Sequence, residues 1–129
     1  MTLIFGGAYQ GKAEYAQEYF QKHAGGEVNC HHCNDTDLTL PPAPVYLNLE
    51  NWILALVKAK QDILPTVEAF CSHNPHAIIT FTDIFCGVVP IDKTQRHWRE
   101  QSGRAMGILA RKSTKVVRMF CGIATTIKG

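Results

Sequence analysis

The sequence predicts an α/β domain, a mainly parallel sheet covered by helices on both faces in three layers. Three observations carry that prediction. Apolar runs of strand length recur along the chain: "TLIF" (2–5), "PVYLNL" (44–49), "HAIITF" (76–81) and "KVVRMFCG" (115–122). Such runs suit parallel strands buried on both faces. Between them lie stretches with the apolar spacing of helices. The first run ends in glycines that open straight into one of those helices.

Taken in order, "TLIF" is a strand and Gly6-Gly7 begins a loop. A helix follows from Lys12 to about His23, with Tyr15, Ala16, Tyr19 and Phe20 on one face. Gly25 and Gly26 stop it. Residues 27–43 are the least regular stretch, with "EVNC" as a short strand and Pro41-Pro42 closing the loop. After the strand at 44–49, residues 50–64 read as a helix carrying Trp52, Leu56 and Ala59 or Lys60 on one stripe. Pro65 breaks or kinks it, and "TVEAFCSH" continues as a second helical piece. The strand at 76–81 gives way to an extended loop, "TDIFCGVVP". Asp92 is the expected N-cap of a helix from Lys93 to Arg111, with Gln95 as its capping-box partner. Trp98, Ser102, Ala105 and Leu109 form its inward face. The last strand is 115–122, and "IATTIKG" is a tail or an edge strand.

A chain of 129 residues is most simply one domain, residues 1–129. Hydrophobic residues make up 46% and charged residues 19%, which suits a soluble globule rather than a disordered chain. A formal net charge of +2 gives no ground for a nucleic-acid or membrane partner. No apolar run approaches the ~18–20 residues of a membrane span, and the N-terminus does not read as a signal peptide. Five cysteines, mostly in apolar runs, fit reduced thiols and a cytoplasmic location.

The loop after the first strand carries the chemistry. Gly6, Gly7, Ala8, Tyr9, Gln10, Gly11 and Lys12 fit the first seven positions of a phosphate-binding P-loop; the eighth, normally Ser or Thr, is Ala13. Backbone N–H groups of such a turn cradle phosphate oxygens, and the following helix adds its dipole. Neither needs a side chain at position 13. Lys12 adds charge at the terminal phosphates, so residues 6–13 form a candidate site for ATP or GTP. The missing hydroxyl normally touches Mg²⁺. A contact of that charged type is worth about 1.5–3 kcal/mol, so Mg²⁺ is expected to be weakly held if held at all. The plain alternative is a tight glycine turn without a ligand. Such a site also wants an acid at a neighbouring strand end. Asn48 is neutral, Glu50 lies two residues on, and Asp83 follows the strand at 76–81. Asp83 is the chosen metal-handling and catalytic partner of Lys12, against the reading that it only caps a turn.

"CHHC" (30–33), with Asp35 and Asp37 nearby, is the other conspicuous stretch. One Cys-x-x-Cys supplies two zinc ligands where a closed structural site needs four. Cys30 and Cys33 with His31 or His32 could form a metal or redox module, or an ordinary polar loop.

"TDIFCGVVPIDKTQRHWREQSGRAMGILA", followed by "KVVRMFCGIATTIK", resembles the end of the bifunctional adenosylcobinamide kinase and adenosylcobinamide-phosphate guanylyltransferase family of cobalamin biosynthesis. Gly87, Val88, Val89, Pro90, Arg96, Arg99 and Gly103 match its pattern at the right spacing. "FGGAYQGKAEYA" resembles its N-terminal loop, and "VYLNLENWI" resembles its strand ending before a tryptophan, here Trp52. The chain departs from the family at Ala13, at Tyr9-Gln10, at Asn48 in place of a strand-end aspartate, at Thr82-Asp83, at Phe85 and at Met106-Gly107. It is also shorter, and the context of the family's guanylyl-accepting histidine is missing; His31 and His32 do not take that role. The resemblance implies a P-loop NTPase-like (RecA-like) fold, ATP or GTP as ligand, a corrinoid substrate and a homo-oligomer, by likeness a trimer. It further implies Arg96 and Arg99 as a clamp on substrate or phosphate, or else a solvated helix face. Kinase activity is expected to be reduced or lost, with guanylyl transfer in doubt. The alternative on the same fold is a non-enzymatic sensor of nucleotide or corrinoid.

Overall fold

A computed structural model describes residues 1–84 and 92–129. The elements run β1 (Thr2–Gly6), α1 (Lys12–His23), β2 (Cys30–His32), β3 (Val45–Leu47), α2 (Leu49–Lys58), α3 (Ile63–His73), β4 (Ile78–Thr82), α4 (Lys93–Lys112), β5 (Lys115–Phe120) and β6 (Ile123–Lys128). The six strands form one sheet in the order β2-β3-β4-β1-β5-β6. All neighbours are parallel except β6, which runs antiparallel to β5. The expected three-layer α/β/α architecture is therefore present.

Alternation along the strands builds two cores. Leu3, Tyr46, Ile79, Phe81 and Val116 point to the face covered by α2, α3 and α4. Ile4, Val45, Leu47, Ile78, Val117 and Met119 point to the other face, where Ala16 of α1 packs. On the larger face Phe70 packs against both Tyr46 and Trp52, with ring centroids 5.1 and 5.2 Å apart. Each such fully buried side chain contributes about 1.5–3 kcal/mol of transfer free energy. Ser102, Ala105 and Leu109 are fully buried on α4, as their spacing predicts, and Trp98 is half-buried.

Strand ends shift by one to three residues, and two larger differences from the sequence reading have a clear cause. The segment read as one helix over 50–64 is broken at residues 59–62, before Pro65. Lys60 adopts φ 55. Its N–H donates to the Val57 carbonyl, and the Gln61 N–H donates to that of Leu56. That pair of bonds is a Schellman ending, usually built around glycine. Pro65 then sits in the first turn of α3, where a missing N–H costs nothing. The second difference is β2, which occupies Cys30–His32 rather than 27–30. Its place is set by pairing with β3, Cys30 opposite Val45.

The chain leaves central β1 over one face to β2 and β3, then returns over the other face to β4 and β5. The carboxyl ends of β1, β3 and β4 thus meet at the point where the winding reverses, the usual ligand crevice of such sheets.

Candidate functional site

Gly6 closes β1 opposite Met119 of β5. A Cβ there would stand 2.4 Å from the Met119 carbonyl oxygen, so only glycine lets the two strands pass. Gly11 is the N-cap of α1, in the left-handed region at φ 88. Between them Tyr9 holds φ 58 and is fully exposed. That conformation costs a non-glycine residue on the order of 1 kcal/mol and persists only where neighbours enforce it. The neighbours are visible. The Asp83 N–H donates to the Gly6 carbonyl at 2.8 Å, and the Gly122 N–H to the Gln10 carbonyl at 3.3 Å. The Cys121 N–H donates to Gln10 Oε1. The loop is thus pinned to β4 on one side and to the β5–β6 turn on the other.

No side chain caps α1. The N–H groups of its first turn have no intrahelical acceptor, and the helix dipole favours an anion beside them. Lys12 is 6% exposed, and its Nζ donates to the Gly7 carbonyl at 2.6 Å. Burial lowers its pKa, opposed by the carboxylates of Glu50 and Glu14.

A cleft of about 510 Å³ opens here. Its walls are the loop and first turn from Ala8 to Glu14, Asn48, Glu50 and Asn51 at the start of α2, Thr82 and Ile84 beyond β4, and Trp98 of α4. Asn48 caps α2 at φ 59, a conformation asparagine tolerates, and its N–H donates to Thr80 Oγ1 at 2.8 Å. Glu50 is buried at 5% exposure. Its Oε1 accepts the Thr82 N–H at 2.8 Å, and its main-chain oxygen accepts Trp98 Nε1–H at 2.8 Å. Burial raises its pKa, while the Thr82 contacts and Lys12 work the other way.

Of the residues predicted for nucleotide binding, Ala8, Tyr9, Gln10, Gly11, Lys12 and Ala13 line this cleft, while Gly6 ends β1 and Gly7 follows it. Two carboxylates line it, Glu14 of α1 and the buried Glu50 of α2, while the sequence points first to Asp83. The signal for Glu50 is an acid in the first turn of the helix leaving β3, a turn that the sheet order brings to the end of β4, the strand next to β1. Asp83 is half-buried just past β4. Arg96 is exposed and Arg99 half-buried on the first turns of α4. Among the described residues, Trp98 is the part of α4 that lines the cleft. Gly87, Val88, Val89 and Pro90 lie outside the described residues, as does Phe85.

The "CHHC" stretch does not assemble into a site. Cys30 packs toward α1 and Cys33 into the core on the opposite face of the sheet. His31 pairs with Asp37 at 2.9 Å. Burial first, and nearby carboxylates second, push the Cys33 thiol up to about 12, the reverse of a reactive or metal-binding thiol. Among the described residues no group of three or more His, Cys, Asp or Glu is placed to hold a metal ion. A larger hollow of about 650 Å³, at the amino-terminal end of the strands, has neither a glycine loop nor an uncapped helix start.

Sheet order, glycine loop, uncapped helix and buried lysine together define a P-loop NTPase-like α/β protein. Within that class the chain belongs to the cobinamide kinase / cobinamide phosphate guanyltransferase family, whose model matches residues 38–127. The match begins downstream of the 6–13 loop, so the reading of that loop rests on its own geometry. Comparison with curated proteins gives no significant match. Among the described residues no helix is long and apolar enough to cross a membrane.

Proposed function

We propose that this chain binds the phosphates of ATP or GTP on the 6–13 loop, as a divergent cobinamide kinase-like protein with kinase activity reduced or lost. The observation that supports it best is the uncapped start of α1 behind a pinned glycine loop, with Lys12 alongside. The first-turn N–H groups bind and orient phosphate oxygens, and Lys12 neutralises the terminal phosphate charge. When bound, Mg²⁺ would neutralise phosphate charge. Ala13 offers it no oxygen, and Glu50 is the buried carboxylate lining the cleft. Trp98 closes the side of the cleft nearest α4 and excludes water there. Guanylyl transfer is in doubt, because the context of the family's guanylyl-accepting histidine has no counterpart in this sequence.

The second reading, a nucleotide or corrinoid sensor without turnover, is favoured by the absence of a hydroxyl at position 13. Self-association, by family likeness into a trimer, is supported by Phe120, Ile123 and Ile127. These lie 60–67% exposed on the β5–β6 hairpin at the sheet edge. An exposed edge with such residues invites pairing with another chain.

Calorimetry with ATP and GTP tests the reading. Saturable binding that Lys12→Ala weakens by about tenfold or more is expected. Absence of binding to either nucleotide by the folded protein refutes it. Turnover of adenosylcobinamide decides between a kinase and a sensor, and sedimentation decides the oligomeric state.

A further inference from the structure

The loop has lost the side-chain oxygen that would touch a cation, yet the cleft contains a buried carboxylate. Glu50 is fixed at both ends of the residue: Oε1 by the Thr82 N–H, the main-chain oxygen by Trp98 Nε1–H. So held, its carboxylate is buried at the wall of the cleft. A glutamine would accept the Thr82 N–H equally well without a charge. Keeping an ionisable acid at 5% exposure is costly unless something compensates it.

The charged groups around it are few. Lys12 of α1 is the cation that acts on it, and Glu14 follows one half-turn later. Cys33 lies near enough to feel its charge from the end of β2. Asp83 comes next after Thr82. Lys12 faces two carboxylates at the cleft, buried Glu50 and Glu14 on the first turn of α1. A bare polyphosphate entering the cleft would therefore meet backbone N–H groups and one cation, but also carboxylates that repel it, of which Glu50 is the buried one. A polyphosphate carrying a divalent cation would be repelled less, because the added charge interacts favourably with the carboxylate.

We propose that Glu50 makes phosphate binding at this loop depend on a divalent cation, replacing by charge what Ala13 does not supply by contact. The inference rests on the nucleotide reading above and is separable from it by experiment.

The test is calorimetric titration of the unmodified protein and of Glu50→Gln with ATP, once in EDTA and once with excess Mg²⁺. The unmodified protein is expected to bind about tenfold more tightly with Mg²⁺. Glu50→Gln should bind metal-free ATP more tightly than the unmodified protein does, and lose most of the gain from Mg²⁺. Glu50→Asp, which keeps the charge, should retain that gain. These opposite signs separate an electrostatic role from a structural one, which would weaken both titrations together. A gain from Mg²⁺ that persists in Glu50→Gln overturns the proposal, as does equal weakening under both conditions or an unmodified protein indifferent to Mg²⁺. Should Glu50→Gln not fold, Glu50→Ala carries the same expected signs. If no variant, and not the unmodified protein, binds any nucleotide, the nucleotide reading itself is refuted and this inference with it.

Discussion

Replacing Gly6 by alanine gives a sharp test of the loop's construction. The added Cβ would lie 2.4 Å from the Met119 carbonyl oxygen and 3.3 Å from its carbon, both backbone atoms of the neighbouring strand. Neither can rotate away. Reaching an ordinary contact requires β1 and β5 to part by about an ångström, against a normal strand spacing of about 4.7–4.9 Å. Overpacking of this kind costs about 1–3 kcal/mol. A chain of 129 residues unfolds with an entropy of about 0.27 kcal/mol/K. A cost of about 2 kcal/mol therefore lowers Tm by roughly 7 °C. Gly7→Ala is the internal control, because its Cβ would meet only the Gln10 side chain, at 3.7 and 3.9 Å. That variant should melt within about 2 °C of the unmodified protein. Thermal melts followed by circular dichroism read both. If Gly6→Ala and Gly7→Ala melt together, the close passage of β1 beside Met119 is not what the glycine serves.

Three further outcomes are expected. The Glu50 carboxyl is raised by burial above its ordinary 4.5, so the folded protein holds this proton more tightly than the unfolded chain, and ionisation costs stability as pH rises through the folded value. Glu50→Gln should accordingly melt at or above the unmodified protein at neutral pH, with the gap closing as the pH falls toward 4.5; a gap that widens on acidification would contradict this. Asp92 Oδ1 accepts the N–H groups of Thr94 and Gln95 at 2.7 and 3.3 Å, and Asp92→Ala should cost about 1 kcal/mol, near 4 °C in the same melts. Thiol labelling mapped by peptide mass should find Cys121, which is exposed, modified well before Cys33 and Cys71, which react only as the protein unfolds, since both are buried with raised pKa values.

Much of this architecture was legible because local and long-range signals agreed. β1, its glycine loop and α1 fall where the apolar run, the two glycines and the helical spacing put them. Asp92 caps α4 as its position predicts, and the buried stripe of that helix follows its period. The misreadings share a cause. The end of α2 is made by Lys60 in a left-handed turn, a place where glycine would have announced itself, so Pro65 drew the boundary instead. β2 is three residues long and owes its position to β3, a partner that strand propensity does not see. Glu50 is harder to find than Asp83 because a sequence shows which residue follows a strand, and not which helix turn the sheet order swings across the cleft. The spacing of Cys30 and Cys33 leaves a metal or redox pair open beside an ordinary polar loop, and the two side chains pack on opposite faces of the sheet.

The bond between Gln10 and Cys121 joins positions 111 residues apart. A glycine loop written near the beginning of the sequence, the proposed phosphate cradle, is thereby pinned by a hairpin written near its end. Shortening the chain by that hairpin would slacken the cradle while leaving every residue of its motif in place. The reverse also holds: whatever settles on the cradle should slow hydrogen exchange at the Cys121 and Gly122 amides, making a distant turn a reporter of occupancy.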